Sequence, residues 1–159
     1  MLVYLTAQKK KDGASLEETA AYIESILPNL CHWFTVDDLV YLKRGGRVSP
    51  TTAFFGNMLG IKPVLHVDSE GHLTAQTKVR GRKPSIAALA KKYDELALDP
   101  KAGPVFISHG DCLDDAKVLS EMIQAKHGVK TEIITYVGTV IGAHAGPGVL
   151  ALFFLGKER

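Results

Sequence analysis

PVFISHGDCLDDAKVLSEMIQAKHGVKTEIITYV, residues 104–137, decides the fold. Pro104 to Ser108 is the short apolar run that a buried strand needs. Gly110-Asp111 leads into a helix expected to reach about Lys126, with Asp114 and Asp115 in its first turn, where the helix dipole favours acidic side chains. His127-Gly128 ends that helix, and Val129 to Val137 is a second strand. Toward the C-terminus, Ile141 to Gly148 reads as a glycine-rich loop and Val149 to Leu155 as the last strand. Toward the N-terminus, Pro84-Ser85 opens a helix with Ile86, Leu89, Tyr93 and Leu96 on its inner face. Ile61 to Val67 and His72 to Val79 flank the turn from Asp68 to Gly71 and make a β-hairpin.

Earlier in the chain the punctuation is equally regular. Ser15 and Glu18 have capping-box spacing, and Leu16, Ala20, Ile23 and Leu27 share one helical face that Pro28 ends. His32 to Val36 is strand-like. Asp37 caps a short helix, Asp38 to Lys43, which stops at Gly45-Gly46. Ser49-Pro50 starts another helix, running to about Leu59 and closed by Gly60. A hairpin, then strand–helix–strand, then a final strand predict an α/β fold. The expectation is a two-layer domain with a mixed β-sheet and helices mainly on one face.

Composition sets the outer limits. At 159 residues, with 46% hydrophobic and 23% charged residues, the chain can bury one ordinary core. A net charge of +2 is far short of the basic footprint of a dedicated nucleic-acid binder. Two cysteines, Cys31 and Cys112, do not make a disulfide scaffold, and no apolar run has the length of a membrane span. A cytoplasmic location is the expectation. Met1 to Leu5 begins without a cap and reads as the middle of an element, so residues 1–13 are expected to be a linker or the tail of a preceding domain.

Three segments could carry chemistry. In Tyr41-Leu-Lys-Arg-Gly-Gly-Arg47, Gly45 and Gly46 close a helix and Arg47 follows. Spacing alone favours a plain C-cap with solvated basic residues; the alternative is an arginine gripping a carboxylate or phosphate. In Ile141-Gly-Ala-His-Ala-Gly-Pro-Gly148, the residues Gly142, Gly146, Pro147 and Gly148 shape a restricted segment around His144. That histidine can donate to an anionic headgroup or act in acid–base chemistry. Lys78-Val-Arg-Gly-Arg-Lys83 is either a solvated turn or an anion patch containing Arg80 and Arg82. Phe54, Phe55, Met58, Leu59 and Ile61 are core residues or part of the wall of an acyl tunnel. Cys31-His32 and His109-x-x-Cys112 match no standard zinc spacing, so no metal is expected. Ser49, Ser108 and Cys112 are candidate nucleophiles for a rival hydrolase or transferase using His144, but none stands in a nucleophile elbow. A second rival is a module that docks an acidic partner through the basic segment.

The ordered set resembles the DegV family. It comprises Phe34-Thr-Val-Asp-Asp-Leu-Val-Tyr-Leu-Lys-Arg-Gly-Gly-Arg-Val-Ser49, Leu59-Gly-Ile-Lys-Pro-Val-Leu65, Gly71, Lys78-Val-Arg80 and the segment from Ile141 to Gly148. The resemblance spans residues 14–156 and implies that residues 14–159 are the second, lipid-binding domain of such a protein. It implies a long-chain fatty acid held between two domains, with no cofactor and no catalysis in this chain. An ATP-using fatty acid kinase subunit would be the partner, making acyl phosphate for phospholipid synthesis. By motif, the carboxylate-binding arginine and histidine fall on Arg47 and His144. Arg80 resembles a family position serving the partner or the phosphoryl step. Ala145 stands where a hydroxyl residue often follows the histidine. The resemblance places the remaining carboxylate contacts on hydroxyl residues of the first domain. Without that domain, an exposed apolar face would invite self-association.

Overall fold

The computed structural model describes residues 1–48 and 60–159. Among them, six helices and six strands form one α/β unit. The helices are α1 (Leu2–Lys11), α2 (Leu16–Ile26), α3 (Leu39–Arg44), α4 (Arg82–Leu96), α5 (Leu113–His127) and α6 (Thr139–Ala145). The strands are β1 (Leu30–Thr35), β2 (Ile61–Val67), β3 (Leu73–Arg80), β4 (Val105–His109), β5 (Thr131–Tyr136) and β6 (Leu150–Leu155). Their order in the sheet is β3-β2-β1-β6-β4-β5. Among the described strands only β4 and β5 pair in parallel, joined by α5 as the 104–137 stretch requires, and the other pairings are antiparallel.

The period-2 alternation of the strands sorts their side chains onto two faces. On one, Cys31, Trp33, Val64, Ile107, Leu152 and Phe154 meet Ile86, Leu89 and Tyr93 of α4 and Ala116, Leu119 and Ile123 of α5. This is the principal core. On the other, Phe34, Leu65 and Ala151 pack with Leu39 and Leu42 of α3 and Ala145 of α6. Helix α1 also reaches this second face, where Tyr4 stands edge-on to Phe106 with ring centroids 5.3 Å apart.

Several boundaries differ from the sequence reading, each for a physical reason. The capping box at Ser15 and Glu18 forms, but the chain passes Pro28 as a single 3-10 turn, Leu27–Asn29, before becoming β1. Asp38, not Asp37, caps α3, its Oδ1 accepting from the Val40 amide at 2.8 Å. Asp37 is drawn instead to Lys62 and Arg82. Helix α4 begins at Arg82 rather than at Pro84, because proline is tolerated anywhere in a first turn. The expected loop from Ile141 to Gly148 is half helix: Thr139–Ala145 is α6, and only Gly146 to Gly148 is a turn. The expected helix from Ser49 to Leu59 lies outside the described residues.

Candidate functional site

The site grows from the contact between α3 and α6. The last turn of α3 closes with Gly45 donating to the Tyr41 carbonyl and Arg47 to the Leu42 carbonyl, at 2.9 and 2.8 Å. Gly46 supplies the positive φ of +68° that turns the chain. Gly45 has ordinary helical geometry, φ −76°, and its role is clearance. A methyl group there would overlap Nδ1 of His144. Likewise a methyl group on Gly146 would run into the Tyr41 ring, and one on Gly148 would lie within 2.6 Å of the Asp37 carboxylate. Glycines in both motifs therefore let α3 and the α6 turn touch backbone to side chain. Arg47 donates from Nη1 to the Gly45 carbonyl at 2.6 Å. Arg47 and His144, 97 residues apart in sequence, thus meet around Gly45.

Both line a cavity of about 510 Å³, within the roughly 300–1,000 Å³ of small-molecule sites. Its floor is the second face of the sheet: His32 and Phe34 from β1, Ala151 and Phe153 from β6, Ser108 from β4. Its sides are Val67 and Leu73 from the hairpin and Val140 and Ile141 from α6. An apolar trough with one cationic and one imidazole side chain at Gly45 suits an amphiphile with an acidic head. Of the residues expected to line an acyl tunnel, Ile61 starts β2 and is not among those lining this cavity. Phe54, Phe55, Met58 and Leu59 lie outside the described residues.

The floor escaped the sequence reading. Its signal was present, since His32 and Phe34, like Ala151 and Phe153, alternate with core residues at strand spacing. His32 stands edge-on to Phe153 at 5.4 Å. Burial, with smaller contributions from Arg159 and the chain's amino group, pushes its pKa down to about 4, so the ring is neutral at neutral pH.

The basic segment divides. Arg80 is exposed at the end of β3. Arg82 is turned inward, its Nε donating to Asp115 Oδ2 at 2.8 Å, with Nη1 3.6 Å from Asp37 Oδ1 and Nη2 3.4 Å from Cys112 Sγ. Lys62 Nζ completes the cluster, 2.9 Å from Asp37 Oδ1. This cluster ties the starts of α3, α4 and α5 together and backs the Gly148 turn, whose amide donates to the Gly110 carbonyl at 2.6 Å. Cys112 is half-buried, burial raises its pKa, and its thiol donates to the Val149 carbonyl at 3.3 Å. No hydrogen bond among the described residues joins Ser108 or Cys112 to His144, and no three metal-binding side chains gather among them.

A family model described as "Uncharacterised protein, DegV family" matches residues 1–157. The chain belongs to the DegV family. A DegV domain-containing protein of Clostridium perfringens is 47% identical over all of this chain, which covers 55% of that protein. Solved structures with functional descriptions resemble the chain at lower identity. A DegV lipid-binding protein of Thermotoga maritima is 30% identical with a TM-score of 0.84, covering 99% of this chain and 55% of its own. A fatty acid-binding DegV protein of Streptococcus agalactiae is 32% identical with a TM-score of 0.79 and the same coverage. The fatty acid kinase B3 protein of Streptococcus pneumoniae, loaded with linoleic acid, shares the fold at 21% identity and a TM-score of 0.86, over 97% of this chain and 54% of its own. This DegV chain spans about half the length of the relatives it matches. No helix among its described residues is long and apolar enough to cross a membrane.

Proposed function

We propose that this chain forms one wall and the headgroup end of a long-chain fatty-acid site, completed by a preceding domain to which residues 1–13 are the connection. Arg47 and His144 hold the carboxylate; the sheet floor and α6 desolvate the acyl chain. The chain acts in the cytoplasm as a non-catalytic carrier and presents the carboxylate to an ATP-using kinase subunit, with exposed Arg80 facing that partner. The observation that carries this reading is the apolar cavity with Arg47 and His144 together at Gly45. It is supported by the Thermotoga maritima relative being a lipid-binding protein and the Streptococcus agalactiae relative a fatty acid-binding one. Each methylene removed from water contributes about 0.8 kcal/mol, so a long chain supplies the affinity and the two polar residues supply the orientation.

Native mass spectrometry of the protein purified from cells, followed by lipid extraction, tests the reading. The chain is run alone and in a longer form carrying the preceding domain. One fatty acid per longer chain, lost in Arg47→Ala and His144→Ala, is the expected result. No lipid in either form, and no uptake of added fatty acid, would overturn it.

A further inference from the structure

His32 is out of character with the floor on which it stands. Its neighbours on that face of the sheet include Phe34, Ala151 and Phe153, and its one ring contact among the described residues is edge-on to Phe153. Neither ring nitrogen has a hydrogen-bond partner among the described residues. A neutral imidazole carries one donor and one acceptor. The side chains beside it, Phe34, Ala151 and Phe153, offer neither, and the cost grows when a ligand displaces water from the trough. The position of His32 is also informative. In β1 it stands two residues from Phe34 and three from Thr35, the residue paired with Leu150 at the start of β6. His144 lies just upstream of that start, so His32 is roughly 7 Å farther along the floor than Phe34. An acyl chain anchored at Arg47 and His144 would pass His32 part-way along its length.

We propose that His32 selects fatty acids bearing a hydroxyl group part-way along the acyl chain. A hydroxyl both donates and accepts, matching a neutral imidazole, whereas a saturated chain leaves both ring nitrogens unsatisfied. An olefin offers no hydrogen to donate. The proposal rests on the reading that the cavity holds a fatty acid, and adds the class of acid.

The test is a titration series with octadecanoic acid and its positional hydroxy isomers. It uses this chain alone and joined to its preceding domain, with Trp33 fluorescence as a check that each variant is folded. The expected profile has a maximum: isomers hydroxylated near one position bind roughly fivefold to tenfold tighter than the parent acid, the size of one net hydrogen bond. His32→Leu inverts the order, tightening octadecanoic acid and weakening the preferred isomer. His32→Gln, which keeps a donor and an acceptor, retains the maximum. Binding of all acids without a maximum overturns the selectivity and leaves the fatty-acid site standing. A maximum that survives in His32→Leu overturns it as well. Failure of every acid to bind to either form removes the fatty-acid reading itself, and the selectivity with it. Should His32→Leu not fold, the wild-type profile and His32→Gln still decide.

Discussion

Cys31 and His32 are neighbours in β1 that face opposite sides of the sheet, and burial holds both neutral. Burial, reinforced by the Glu158 carboxylate, pushes the Cys31 thiol up to about 11 from its ordinary 9.0. The unfolded chain therefore releases that proton first. The thiol's contribution to stability is whole below about pH 9 and is lost as pH rises toward about 11. For His32 the sign is opposite. Its folded value lies near 4, below the ordinary 6.5, so its contribution is whole above about pH 6.5 and is lost as pH falls toward about 4. Urea midpoints measured across pH are expected to form a plateau with two falling limbs, each worth at most about 2–3 kcal/mol from these groups. Cys31→Ala should flatten the alkaline limb and leave the acid limb; His32→Leu should do the reverse. Limbs insensitive to both substitutions would place the titrating groups elsewhere.

At the level of elements, the meeting of α3 and α6 makes a sharp prediction. Alanine at an ordinary helical position is normally better than glycine by about 1 kcal/mol. At Gly45 the added methyl overlaps His144. Gly45→Ala should therefore destabilise by roughly 1–3 kcal/mol and weaken fatty-acid binding. In a His144→Ala background the same change should become neutral or stabilising. Thermal melts of the four proteins in that cycle measure the coupling, and simple additivity would refute the contact. A second contrast separates the two arginines of one sequence patch. Arg82→Ala strips Asp37 and Asp115 of their shared partner and should cost roughly 3 kcal/mol. Arg80→Ala should leave the unfolding free energy within about half a kcal/mol of wild type, while reducing salt-sensitive binding to the proposed kinase subunit. The sequence could not separate them, because Lys78 to Lys83 reads as uniform basic surface and the partners of Arg82 are 45 and 33 residues away. Elements with local signals were legible: the Ser15–Glu18 box, the bounds of β2, and the stop at Gly128. Helix α6 was not. Thr139–Ala145 lacks a side-chain cap and contains a glycine, so its helical form depends on packing against α3.

At the scale of the molecule, the mixed sheet was readable from the order of its elements, but the cavity was not. It is made by alternation in strands from opposite ends of the chain, β1 and β6, brought side by side. That face also leaves Tyr136, Val140 and Ile141 exposed at the cavity's edge. An apolar reporter dye is expected to bind the chain alone and to be displaced by a fatty acid or by the proposed preceding domain. No dye signal at high protein concentration would mean the face is covered by another copy or has closed on itself, which light scattering distinguishes. The strand order carries one more consequence, for the timing of synthesis. Among the described strands β6 is the last to leave the ribosome, yet it occupies the middle of the sheet, the strand that bridges β1-β2-β3 and β4-β5. Until residues 150–155 emerge, the nascent chain holds two half-sheets with bare adjoining edges and nothing to join them. This sheet is therefore completed only when residues 150–155 emerge, and until then those edges are the surfaces a chaperone must shield.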